Sequence, residues 1–229
     1  MESCSIDLHE NVKQLKRMLH DARCGQQDVQ ICAATKTIPA DVVNNLLDDG
    51  ISIIGENRVQ EFIDKRLSLN PLFSMHLIGH LQTNKVKYII PYINMVQSLD
   101  SVSLACEISE RCKRINRVMP VLVQINIAQE TQKHGVYKDE LPLFIEKMRL
   151  YDGIRVKGFM AITPLTNDSE QTRPFFKEMK RIFDHYRDLG YPHMDIDILS
   201  MGMSGDFMVA VQEGSTMVRI GTALFGHRK

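Results

Sequence analysis

Short apolar runs alternate along this chain with polar or glycine-bearing turns and with longer stretches whose apolar residues recur every three to four positions. The apolar runs are VQICAAT, ISIIGEN, MHLIGHL, NMVQSLD, MPVLVQIN, IRVKGFMAI, DIDILSM and MVRIGTAL. Several are near-continuous in Val, Ile and Leu, the pattern of parallel strands buried on both faces. The stretches between them carry helix signals. Pro39 stands where the first helical residue is expected, Val42, Val43, Leu46 and Leu47 share one face, and Gly50 stops the pattern. Pro174 precedes Phe175, Phe176, Met179, Ile182, Phe183 and Tyr186, with Gly190 closing. Asp100 is placed to cap a helix through Leu104, Ile108 and Ile115, whose charged residues Glu107, Glu110, Arg111, Lys113 and Arg114 form a solvated face. Residues 7 to 24 form an amphipathic helix on Leu8, Val12, Leu15, Met18 and Leu19, ahead of the first strand.

Eight strands alternating with helices predict a (β/α)8 TIM-type barrel, with a doubly wound open sheet as the rival. The 229 residues suit one such barrel, and no linker or low-complexity tract divides them, so a single domain over 1–229 is expected. The last run is followed only by TALFGHRK, too short for a full closing helix. The extra N-terminal helix is the candidate to cover that side.

Composition narrows the function classes. The chain is 44% hydrophobic and 24% charged, with 28 basic and 28 acidic side chains. Zero formal net charge gives no basic face for nucleic acid. No apolar run is long enough to span a bilayer, and MESCSIDLHENV lacks the basic and apolar regions of a secretory signal. Cys4, Cys24, Cys32, Cys106 and Cys112 are odd in number and include no C-x-x-C pair. They suggest neither a disulfide framework nor a zinc site, and a cytoplasmic location is expected. Core packing accounts for Cys32 within the first strand.

In a barrel of this type the chemistry gathers at the C-terminal ends of the strands. Those ends carry Lys36, Asn57, His80, Asn126, Met160, Ser200, Gly202, Arg219, Gly221 and Thr222. LSMGMSGDF leads from the seventh strand into a helix beginning near Phe207, and VRIGTALFG turns from the eighth into a short helix at Gly221 and Thr222. Serine, threonine and glycine at such turns offer hydroxyl and amide donors for a phosphate. Neither turn matches a nucleotide P-loop or a dinucleotide fingerprint. Lys36, in ATKTIP, ends the first strand among small neutral neighbours that favour partial desolvation. Taken alone, that lysine reads more readily as one that snorkels to solvent, and each glycine turn equally well as a mere turn. A lysine amine and a phosphate cradle on one barrel mouth together suggest pyridoxal 5′-phosphate (PLP), held by a Schiff base at one end and by its phosphate at the other.

ATKTIP, IGENRVQE, LIGHLQTNK, KHGV, GFMAI, LSMGMSGD and GSTMVRIGTALFG occur in order along nearly the whole chain, and in these motifs it resembles the pyridoxal phosphate homeostasis protein family. The resemblance implies a fold-type III barrel, built like the N-terminal barrel of alanine racemase. It implies PLP as an aldimine on Lys36, with phosphate contacts from Ser200, Gly202, Gly221 and Thr222. Arg219 is expected to face the pyridine nitrogen and Asn57 to lie near the ring, while His80 and Met160 match pocket-lining positions. Arg58 departs from the pattern, where tyrosine is as often expected. An arginine at the ring nitrogen disfavours its protonation and makes the ring a weaker electron sink. Racemisation needs a second base, which alanine racemase-like proteins take from a C-terminal β domain, and this chain ends just after its eighth strand. These features favour a monomeric PLP carrier or regulator exchanging with PLP-requiring apo-enzymes. The alternatives are a small PLP-dependent racemase or lyase, using Tyr137 or His134 as second base, and an unliganded barrel serving as an interaction module.

Overall fold

A computed structural model describes residues 7–23 and 28–226. Cys4, Cys24 and the end of the TALFGHRK segment lie outside the described residues. The strands are β1 Gln30–Ala34, β2 Ile53–Glu56, β3 Ser74–Leu77, β4 Met95–Leu99, β5 Met119–Ile125, β6 Ile154–Ala161, β7 Met194–Met203 and β8 Met217–Ile220. They close in sequence order into a parallel barrel, β8 returning to β1 with Cys32 opposite Arg219. The open-sheet rival is thereby excluded.

The helices are α1 Leu8–Ala22, α2 Ala40–Asn44, α3 Val59–Lys65, α4 Val86–Ile89 and α5 Val102–Arg114. After them come α6 Leu141–Met148, α7 Arg173–Leu189, α8 Phe207–Gln212 and α9 Thr222–Phe225. Every residue of β4 is buried, as in a strand covered on both faces, the polar Gln97 and Ser98 included. The strands present one face to this helical ring. On the other face, Cys32 packs with Ile78 and Met217, and Met95 with Leu122 and Met160, filling the barrel as side-chain layers.

α1 starts where its cap lies, with Asp7 accepting from the Glu10 N–H at 3.0 Å. Its buried Val12, Leu15, Leu19 and Ala22 pack in one cluster with Phe207, Val218, Leu224 and Phe225. The N-terminal helix thus covers the barrel on the β8 side together with α8 and the short α9. Two boundaries differ from the sequence expectation. Pro39 is the cap of α2 and not its first helical residue. The cap of α5 is Ser101, whose side chain accepts from the Leu104 N–H at 3.3 Å, because Asp100 is turned toward His80 and His134.

Candidate functional site

Lys36 sits in the turn just after β1, and the turn is fixed from both sides. Before it, Thr35 is fully buried and its hydroxyl donates to Glu56 Oε1 at 2.6 Å. Lys65, at the end of α3, donates to that oxygen at 2.7 Å and to the Thr35 carbonyl at 2.8 Å. After it, Thr37 holds a left-handed conformation, φ 63°, and its N–H is taken by Glu61 Oε1. A β-branched residue is uncommon there and keeps that conformation only where its surroundings impose it. Burial raises the Glu56 carboxyl above the usual range, opposed by the hydrogen bonds from Lys65 and Thr35. The Lys36 side chain is half-buried, and its amine has no hydrogen bond or ion pair among the described residues.

That amine lines a cavity of ≈ 290 Å³ at the mouth, with Thr163, Ser204, Gly205, Arg219, Gly221 and Thr222 around it. The wall beside β1 is the pair of turns after its neighbour β8 and after β7. Ser204 Oγ accepts from the Gly221 N–H at 3.3 Å and the Ala223 N–H at 3.1 Å. Two backbone donors therefore converge on one oxygen, as they would on an oxygen of an anion. A Cβ at Gly205 would meet no atom within 4 Å, so the turn presents bare backbone there. Asp206 fastens this turn to the β6 side, accepting from the Met203 N–H at 2.7 Å and from the Thr163 hydroxyl at 2.8 Å.

The floor of the cavity is Arg219, only 4% exposed. Its guanidinium donates to the Ser200 carbonyl and hydroxyl, both at 2.8 Å, and to the Ala161 carbonyl at 2.7 Å. Burial pushes it down to about 10, which leaves it charged near neutrality. The Ser200 hydroxyl donates a hydrogen bond to Gln97 Oε1 at 2.8 Å, and the Gln97 amide donates to His76 Nδ1 at 2.9 Å. Burial lowers His76 to about 4.

A second cavity of ≈ 310 Å³ lies over β3 and β5, lined among others by Asn57, His80, Asn126, Lys133 and His134. The expected site residues thus separate. Lys36, Arg219, Gly221 and Thr222 share the first cavity, whereas Asn57 and His80 line the second. Ser200, Gly202 and Met160 line neither. Ser200 and Gly202 lie inside β7 and not after it. Ser200 is wholly buried beneath Arg219, and a Cβ at Gly202, φ 91°, would stand 2.6 Å from the Ala210 Cβ on α8. Met160 is fully buried with Met95 and Leu122 in the barrel. The sequence does not mark out Ser204, Gly205, Asp206 and Thr163 as site residues. The first three close the quoted LSMGMSGD motif, and only knowing where β7 ends tells its two serines apart. Tyr137 lines neither cavity.

Comparison with known proteins agrees with this geometry, first at the level of class: residues 6–229 match the model described as alanine racemase, N-terminal domain. More narrowly, the chain is 38% identical over 222 residues to the pyridoxal phosphate homeostasis protein of Aquifex aeolicus, covering 95% of each. It is 34% identical over 232 residues to the protein of the same name from Escherichia coli K12, covering 97% of each. The structure of PipY from Synechococcus elongatus with PLP bound superposes with a TM-score of 0.84 at 28% identity, over 96% of this chain and 100% of that one. The chain belongs to the pyridoxal phosphate homeostasis protein family.

Proposed function

We propose that this protein binds PLP reversibly and serves intracellular PLP homeostasis in the cytoplasm, as a single-domain monomer that exchanges the cofactor with PLP-requiring apo-enzymes. The observation that carries the reading is the unpaired Lys36 amine facing, across one cavity, backbone N–H groups that already converge on the Ser204 oxygen. The residues fit the group. PLP supplies an aldehyde that forms a Schiff base with an amine, releasing water. Lys36 is the amine, and the network of Thr35, Glu56, Lys65 and Glu61 aims it. Gly221, Thr222 and the Ser204–Gly205 turn would hold the phosphate, with Ser204 turning aside to release the Gly221 and Ala223 N–H groups. Arg219 would meet the ring with a cation held by Ser200 and Ala161, which disfavours protonation of a ring nitrogen there.

The other groups around the cavity support the reading of inefficient amino-acid turnover. Apart from Lys36 and Arg219, Asp206 is the ionisable residue among those lining it, and both its oxygens are engaged by Met203 and Thr163. Among the described residues lining this cavity, none is placed as a second base opposite Lys36. Wild-type protein mixed with PLP should show visible absorbance that borohydride reduction traps on Lys36. Lys36→Ala should abolish both while leaving the thermal stability of the cofactor-free protein nearly unchanged. Visible absorbance and trapping undiminished in Lys36→Ala would overturn the assignment. Rapid α-proton exchange of L- and D-amino acids in deuterium oxide would favour the racemase or lyase alternative instead.

A further inference from the structure

Three loops on the far side of the mouth bring together three groups that the PLP reading does not use. His80 follows β3, Asp100 directly follows β4, and His134 belongs to the loop after β5. The two imidazoles stack with centroids 3.6 Å apart and planes 8° apart. Both present Nδ1 to the same carboxylate oxygen, Asp100 Oδ2, at 3.2 Å from His80 and 3.8 Å from His134. One ligand atom from each residue lies within 4.8 Å of the others.

A simple ion pair would need only one imidazole. The second Nδ1, at 3.8 Å, is beyond hydrogen-bonding reach of the carboxylate it faces. Two nitrogens and one carboxylate oxygen are a ligand set for a borderline divalent ion. Bonds of about 2.1 Å place tetrahedral ligand atoms about 3.4 Å apart, between the two distances seen here. The stacked rings would turn about their side-chain bonds to bring both Nδ1 lone pairs to one ion, and the backbone that carries them is held in place. The carbonyl of Gly79 accepts from Ser98 Oγ at 2.7 Å, and a Cβ on Gly79 would fall 2.2 Å from the Asn57 oxygen. The His134 carbonyl accepts from Gln124 Nε2 at 2.9 Å, and Val136 bridges to Ile125. The cation next to His134, Lys133, is drawn to Glu130 Oε1 at 2.5 Å.

We propose that His80, His134 and Asp100 form a binding site for one divalent transition-metal ion of the zinc class, with a fourth position left for water or an incoming ligand beside the second cavity. Such an ion would clip the loops after β3, β4 and β5 together at the mouth.

The test is titration of untagged, metal-stripped protein with Zn²⁺ by calorimetry, and with Co²⁺ as a spectroscopic probe. Wild type should bind one ion per chain and gain thermal stability with it. His80→Ala and His134→Ala should each weaken binding by at least about 10–100-fold, and neither exposed side chain is needed for the fold. Lys36→Ala should bind the metal as wild type does, which separates this site from the PLP reading. Co²⁺ bound at this site should lack the intense near-ultraviolet band of thiolate ligation. The proposal is overturned if no one-to-one binding occurs, if the His80→Ala/His134→Ala double variant binds equally well, or if the bound Co²⁺ carries the thiolate band.

Discussion

Lys65 governs the geometry of Lys36 from one helix away. Its ammonium, with only a tenth of the side chain exposed, sits between Glu56, Glu61 and the Thr35 carbonyl. Glu56 is almost wholly buried, and its Oε2 has no hydrogen-bond partner among the described residues. Replacing Lys65 by methionine would keep much of the apolar stem and leave a buried carboxylate without its cation. The expected loss is about 3–5 kcal/mol of stability, read by urea denaturation. Adding Glu56→Gln should recover part of it, since the orphaned charge is then gone; no recovery would show that the ion pair is not the cause. Retained PLP absorbance should fall with the stability of the Lys36 turn. At this scale the sequence is half legible. Lys36 stands out because a cation at the end of a buried strand needs a reason, but Lys65 does not, since a lysine closing a short amphipathic helix is ordinary. Only the meeting of α3 with the β1 turn gives it a role.

The β6–β7 pair shows what an apolar pattern reveals about an element and what it hides. Both strands were marked by their Val, Ile and Leu, yet the register between them shifts. Val156 pairs with Met194 but Gly158 pairs with Ile198, so β7 carries extra residues across this step. Gly158 absorbs the irregularity at φ 144°, and a Cβ there would stand 1.8 Å from the Ile198 oxygen. Gly158→Ala should cost more than about 3 kcal/mol or prevent folding, because it combines a forbidden backbone conformation with a clash against main chain. Near-normal stability by chemical denaturation would contradict this register. In the sequence, Gly158 is only the first residue of GFMAI; a bulge depends on the partner strand, which one strand's periodicity does not report. The same limit explains why the caps of α2 and α5 differ from the sequence expectation. Asp100 and Ser101 are both good caps by composition, and Asp100 is withdrawn from that role by two histidines distant in sequence. α1 was legible because its apolar stripe is long and regular. Its need for a partner surface is met by α8 and α9.

For the molecule as a whole, closure of the barrel makes a hydrogen-bonded chain through its interior possible, and that chain makes stability depend on pH. Arg219 donates to Ser200, Ser200 to Gln97, Gln97 to His76 Nδ1, and His76 Nε2 lies 3.1 Å from Ser74 Oγ. Read from the guanidinium, which can only donate, each proton position follows, and His76 is neutral with its proton on Nε2. Strand order alone put these residues at barrel ends or middles. Their side-chain contacts belong to closure, which is why the sequence marks Ser200 only as part of a glycine-serine turn, while the structure buries it as a link beneath Arg219. Burial lowers His76 from 6.5 to about 4, so between those values the unfolded chain binds the extra proton and the folded one does not. Stability from this group is therefore complete above pH 6.5 and drains away as the pH falls toward 4, by about 3 kcal/mol in all. Glu56, whose carboxyl is raised by burial, acts in the opposite sense above its ordinary value of 4.5, so the total curve mixes the two. Comparison with His76→Gln isolates the histidine, because Glu56 is common to both proteins. Between pH 7 and pH 5 the wild type should lose about 2 kcal/mol more than the variant in urea unfolding. Equal losses would mean that His76 reaches solvent or another proton acceptor, and that the interior chain does not run in the direction its hydrogen bonds require.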